Sequence, residues 1–178
     1  HSVKAQAVPE CAEFYLGNGL FAICDWCDFN SVKSFKWNST SLDSRVQWAW
    51  AHDVENGGEK RKKVAMHNII MKPSEGFIVD HINGNGLDNR RSNLRIATRQ
   101  QNTFNSVHKG GTSKYKGVAL DKESGLWRAY IAKDGKRTWL GRFPDELSAA
   151  IAYDKAAKDM FGEYAKLNIA TAQEPTND

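Results

Sequence analysis

The sequence is poor in cysteine and contains no long apolar run. Its three cysteines, Cys11, Cys24 and Cys27, are an odd number and cannot close the disulfide framework of a small secreted domain. Cys24 and Cys27 have the C-x-x-C spacing of a zinc half-site. No second such pair exists, and a complete site would need Cys11 and a distant histidine, so a structural zinc is not expected. No stretch approaches the roughly 20 apolar residues that span a bilayer, and the first residues lack the basic-then-apolar layout of a signal peptide. The expectation is a reduced, soluble, intracellular protein without membrane partners. The first residue is His1 rather than Met, so a native start elsewhere is expected.

What is present fits a folded protein of one large or two small domains. The chain has 178 residues, 40% of them hydrophobic and 26% charged, with six Trp and eight Phe to build a core. The net charge is +4 with a pI near 8.9, values shared by polyanion binders and by many proteins that bind none. The distribution is more informative. Acidic residues are common before Lys60, whereas Lys60 to Lys63, Arg90, Arg91, Arg95, Arg99 and the cations from Lys109 to Arg142 dominate the middle, which is assigned to nucleic acid.

Along the chain, residues 1–17 lack periodicity and read as a loose lead-in. Residues 21–24 predict a strand, and Asp25 is placed to cap a helix running to about Lys36. Val46, Trp48 and Trp50 alternate with polar neighbours, as in a half-buried strand; residues 55–60 form a turn, and an apolar segment resumes over 64–71. A basic, glycine-containing tether over 106–113 marks a domain boundary. Beyond it, residues 117–120, 127–133 and 137–143 predict three strands, the last two joined by Asp134-Gly135, a strong hairpin signal. Pro144 and Asp145 open an alanine-rich helix that Gly162 stops, and the polar tail after Ala170 is expected to fray.

The densest functional signal runs from Phe77 to Asn102. An apolar strand delivers Asp80-His81, a loop rich in Asn and Gly follows, a second strand begins near Leu94, and a polar helix carries Asn102. Phosphodiester hydrolysis needs an activated water, stabilisation of negative charge on phosphorus and help for the departing oxygen. Neutral His81 can accept the water's proton, while Asp80 and Asn102 offer hard oxygen donors suited to Mg²⁺ or Mn²⁺. An Asp-His dipeptide alone would read as an ordinary strand end. The whole run Asp80-His81-Ile82-Asn83-Gly84-Asn85, then Asp88-Asn89-Arg90-Arg91-Ser92-Asn93-Leu94-Arg95, then Gln101-Asn102, however, resembles the HNH, or ββα-metal, nucleases, particularly the homing endonucleases. The resemblance implies Asp80 and Asn102 as metal ligands, His81 as general base, and Asn93 as the Asn that braces the loop and orients the base. It also implies the cytoplasm of a bacterium or phage-infected host. The last motif letter is Asn rather than His, which bears on metal preference. His67 is assigned a structural role, since nothing in the sequence gives it a chemical partner.

After the tether, Lys114 to Val118, Trp127 to Ile131, Arg137 to Phe143, Ala149 to Ala157 and Ala165 to Asn168 follow in an order that resembles the apetala-type DNA-binding domain of plant ethylene-response factors. Arg128 and Tyr130 share one face of a strand, and Arg137 and Trp139 one face of the next, giving alternating cationic and aromatic groups. Where plant members carry further arginines this chain has Ala119 and Asp121.

The expected architecture is α+β: a ββα-metal nuclease domain with its amino-terminal region over 1–108, then a three-stranded antiparallel sheet packed on one helix within 109–178. The expected activity is site-directed cleavage of double-stranded DNA, with Arg90, Arg91, Arg95, Arg99, Lys116, Arg128, Tyr130, Arg137, Trp139 and Arg142 as DNA contacts and the choice between monomer and dimer open. The alternatives are a non-catalytic sequence-specific DNA-binding regulator and an RNA binder. The tether leads to one further expectation, that residues up to Ser113 retain catalysis by themselves.

Overall fold

The computed structural model describes residues 10–40, 47–55, 60–106 and 110–169, and the chain divides into two compact units between Arg99 and Gln100. No helix among the described residues is long and apolar enough to cross a membrane. The protein is α+β, built from small antiparallel sheets and short helices.

The first unit opens with a hairpin of β1 (Ala12–Gly17) and β2 (Leu20–Cys24), Ala12 facing Cys24 across the pair. Residues 12–17 are thus a strand, not the loose lead-in expected. Ala12 and Leu16 turn inward at a period of two, while Glu13 and Tyr15 turn outward. The helix expected over 25–36 is a 3₁₀ turn (Trp26–Asp28) leading into the single turn of α1 (Phe29–Val32). Asp25 makes no side-chain cap there; its carboxylate accepts the backbone N–H of Arg91 at 2.7 Å instead.

Strands β3 (Asn38–Ser39), β4 (Ala49–Glu55) and β5 (Lys60–Ala65) form a sheet in that order, and β5 runs directly into α2 (Met66–Met71). The apolar run 64–71 therefore splits between strand and helix. Strands β6 (Ile78–His81) and β7 (Leu94–Ala97) pair antiparallel, Asp80 opposite Arg95 and His81 opposite Leu94. One core joins these parts, with Cys24, Val32, Trp37, Ala49, Ala51, Met66, Ile70, Val79 and Leu94 buried together. Each large apolar side chain so buried contributes roughly 1.5–3 kcal/mol.

The second unit begins within α3 (Arg99–Phe104) and continues through β8 (Val118–Leu120), β9 (Trp127–Lys133) and β10 (Lys136–Phe143), ordered β10-β9-β8, to α4 (Glu146–Phe161). Asp134 and Gly135 both take positive φ, 55° and 74°, as a two-residue hairpin turn requires. Asp145 caps α4 by accepting the Ser148 N–H at 2.8 Å. Ala149, Ala150 and Ala157 are fully buried and let the helix approach Val118, Ala129 and Ile131 of the sheet. Gly117, at φ +77°, sits where a Cβ would lie 2.2 Å from the Tyr153 ring. Val46, the turn at 56–59, Val107 to Lys109 of the tether, and the tail from Ala170 lie outside the described residues.

Candidate active site and nucleic-acid face

The loop between β6 and β7 is held from below by the amino-terminal hairpin. Ile23 of β2 donates its N–H to Leu87 O at 2.9 Å and accepts that of Asn89 at 2.8 Å. Gly86 bridges to Trp48, and a Cβ there would lie 2.3 Å from Gln47 O, so the close approach requires glycine. Inside the loop Asn93 is buried. Its Oδ1 accepts the Asn83 N–H at 2.9 Å, its Nδ2 donates to Asp88 O at 2.8 Å, and its carbonyl accepts the Ile82 N–H at 2.9 Å. The start and the middle of the loop are thereby tied to one side chain.

His81 is half-buried at the end of β6. Its Nε2 lies 3.3 Å from Oδ1 of Asn89, a fully buried residue whose Nδ2 donates to Leu87 O at 3.1 Å. With that carboxamide oriented by Leu87, its oxygen is an acceptor, which places the imidazole proton on Nε2 and the lone pair on Nδ1. Burial pushes the His81 pKa below its ordinary value, opposed by the Asn89 bond and by the carboxylates of Asp80 and Asp88. His67 of α2 meets His81 edge to face, ring centroids 5.0 Å apart, and burial followed by the charge of His81 pushes its pKa down to about 4. His67 thus has a chemical neighbour that sequence reasoning did not find. Asn89 was also missed, because an Asn in an Asn/Gly loop reads as turn chemistry.

Asp80 is buried, and the Nε and a terminal nitrogen of Arg95 donate to its Oδ2 at 2.8 and 2.7 Å. Arg90 binds Asp88 at 2.8 and 2.7 Å, and Arg91 binds Asp28 at 2.8 and 2.7 Å while reaching Ile70 O at 3.2 Å. Three cations expected to meet DNA therefore hold carboxylates of their own fold. The Arg90 and Arg91 side chains are still 41% and 51% exposed, whereas that of Arg95 is 11%. Cys24 is buried in the core, its thiol pKa pushed up to about 11 by burial and then by Asp28 and Asp25; Cys27 is exposed. Asn102 lies exposed on α3, in the part of that helix belonging to the second unit. Arg99 is exposed at the helix start.

In the second unit, alternation along β9 buries Ala129 and Ile131 and leaves Arg128 and Tyr130 on the other face. Trp139 pairs with Tyr130, and an irregularity before Gly141 brings Arg142 opposite Arg128. Arg137 lies over the Tyr130 ring at 5.2 Å, Arg142 over Trp139 at 5.9 Å, and the two rings meet at 4.8 Å. The expected cationic and aromatic side chains thus share one face. Buried Asp121 pairs with Arg128 and, at 3.5 Å, with Arg142, and the Arg128 bond holds its carboxyl below the usual carboxylate range. Lys116 is turned inward, toward the end of α3.

Residues 72–104 match the family model described as HNH endonuclease. The chain is 33% identical to the HNH endonuclease L560 of Acanthamoeba polyphaga mimivirus, over 85% of this chain and 76% of the viral protein. It belongs to the HNH endonuclease family. This HNH endonuclease is also 31% identical to Protein 3.8 of Escherichia phage T7, over 52% of its own length and 76% of the phage protein. Its second unit is similar to plant AP2/ERF proteins. It is 48% identical over 63 residues to the rice AP2/ERF and B3 domain-containing protein Os01g0140700, which it covers to 20%.

Proposed function

We propose that this HNH endonuclease hydrolyses phosphodiester bonds of double-stranded DNA with one divalent metal ion, His81 acting as general base. The observation carrying this reading is the imidazole of His81 at the end of β6, its Nε2 3.3 Å from the oriented carboxamide of Asn89 and its pKa lowered by burial, next in sequence to the buried Asp80. His81 takes the proton of the attacking water and releases it to solvent water after the phosphodiester bond has broken, which restores the neutral ring. Asn93 keeps the loop closed, so the ring stays aimed. Asp80 supplies an oxygen donor whose chemistry fits Mg²⁺ or Mn²⁺ and would hold the ion; the carboxamide of Asn102, expected from the sequence to join it, belongs to the other compact unit. The ion, when bound, stabilises charge on the phosphate and the departing 3′ oxygen. The products are 5′-phosphate and 3′-hydroxyl ends.

The Arg137, Trp139, Tyr130 and Arg142 face supplies the second DNA contact, phosphate oxygens meeting the guanidiniums and base edges the sheet. One chain carries one catalytic centre, so a monomer nicks one strand per engagement. The test is His81→Ala assayed on supercoiled plasmid with Mg²⁺, with duplex binding measured in parallel. Cleavage is expected to vanish while binding persists, and wild-type turnover in the variant would remove His81 as base. A wild-type protein that binds duplex DNA yet leaves the plasmid intact with every divalent ion would favour the non-catalytic regulator.

A further inference from the structure

Strand β4 and the residue before it send small and large side chains to opposite sides of their sheet. Ala49 and Ala51 are fully buried in the core, so Trp48, Trp50 and His52 lie on the outer face. Lys63 of β5, paired with His52, stands on the same face and is exposed. Its ammonium lies 4.0 Å from the centroid of the Trp50 ring and 5.2 Å from that of Trp48. Trp50 is anchored through its Nε1, which donates to Ser39 O at 3.0 Å, and Trp48 meets the catalytic loop at Gly86. From Trp48 the line of rings continues to His67, centroids 5.9 Å apart, and from His67 to His81 at 5.0 Å. Neighbouring rings thus lead from Lys63 to the catalytic imidazole, entirely within the first compact unit.

We propose that Lys63 is a phosphate contact of the nuclease unit itself: its ammonium, held over Trp48 and Trp50, binds the backbone of the strand that His81 cleaves. The proposal rests on the reading of His81 as the base, which fixes where the scissile phosphate lies. Three observations support it. The first is charge: Arg90, Arg91 and Arg95 hold Asp88, Asp28 and Asp80, whereas Lys63 enters no ion pair among the described residues. Its charge is therefore left for a polyanion. The second is order, since the two indoles hold the lysine in place and part of its rotamer entropy is lost before DNA arrives. The third is reach. Three steps of at most 5.9 Å separate Lys63 from His81. One strand advances about 3.4 Å per nucleotide, so the phosphate concerned lies within about five nucleotides of the cut. Stacking of bases on the indoles is the competing use of this face, but the ammonium covers the rings that a base would need.

The test uses the full chain with Lys63→Met, whose apolar stem still covers the indoles, and Lys63→Arg. Binding of a short sequenced duplex in EDTA, measured across a salt series, reads the contact without cleavage. Lys63→Met should lower affinity about fivefold at low salt and reduce the salt slope by about one, while Lys63→Arg keeps both near wild type. Nicking of the same duplex by the wild-type chain with Mg²⁺ then locates the cut, and a neutral methylphosphonate linkage is moved one position at a time along the nicked strand. One linkage within about five nucleotides of the cut should weaken wild-type binding about fivefold and leave Lys63→Met unaffected. An unchanged salt slope in Lys63→Met, or the same response of both proteins to every linkage, overturns the proposal. A lower affinity at unchanged slope, on single-stranded as on duplex DNA, overturns it in favour of base stacking. A His81→Ala variant that nicks like wild type sinks the catalytic reading instead, and the slope in Lys63→Met then decides the phosphate contact by itself.

Discussion

Asn89 Oδ1 lies 3.3 Å from His81 Nε2, and this carboxamide, itself held by Leu87 O, selects the tautomer of the imidazole. Replacing Asn89 by Leu removes the acceptor without adding charge. We predict that kcat falls about 10- to 100-fold with duplex affinity unchanged. Asn89→Asp adds a negative charge instead. It stabilises the imidazolium, raises the His81 pKa and moves the acid limb of the kcat/KM profile to higher pH. A pH–rate series at saturating Mg²⁺ checks both, and an acid limb unmoved in Asn89→Asp would contradict the assignment.

His67 makes the first unit sensitive to acid. Its folded pKa is pushed from an ordinary 6.5 to about 4, so below pH 6.5 the unfolded chain binds a proton that the folded chain resists. Stability is fully present above pH 6.5 and is lost progressively as pH falls toward 4, by about 3 kcal/mol for this group. His67→Phe should flatten that decline. Urea midpoints at pH 7.0, 6.0 and 5.0 for both proteins decide it, and parallel slopes would contradict the prediction.

Arg95 is expected to behave as a structural cation. Arg95→Met withdraws a guanidinium from a buried carboxylate and should cost about 3 kcal/mol of stability. Because the side chain is only 11% exposed, the salt dependence of DNA binding should keep its wild-type slope. A slope reduced by about one in the variant would show that Arg95 contacts phosphate.

Trp139→Ala and Arg137→Ala test the sheet face. Trp139 is 48% exposed, so its loss costs little packing. Duplex affinity should fall about tenfold in each, Arg137→Ala with a shallower salt slope and Trp139→Ala without one. The Mg²⁺ requirement should stay unchanged in both. Wild-type affinity in both variants would remove this face from DNA recognition.

Much of this was legible locally. The Asp-Gly turn, the alternation of β9, the Asp145 cap and the Gly162 stop each act within a few residues, and the structure has each where the sequence puts it. Strand β1 was hidden because Tyr15, 62% exposed, puts an apolar residue on the outer face and blurs the alternation. The helix expected over 25–36 failed for a tertiary reason: Asp25 and Asp28 serve Arg91, more than 60 residues away, rather than the helix start. The same separation made Arg91 look like a surface cation. The nuclease motif was readable as a run of residue types, but the pairing of Asn89 with His81 and of His67 with His81 depends on how the loop and α2 fold back.

The close contact of Gly86 with Gln47 bears on whether the catalytic hairpin is portable. Residues 77–104 read as a self-contained cassette, yet their loop is moulded on Ile23 and on the strand edge at Trp48. Grafted onto another scaffold, the cassette would lose the surface that shapes it, and exchange between relatives should carry the 12–24 hairpin and the 47–50 edge along with the catalytic residues.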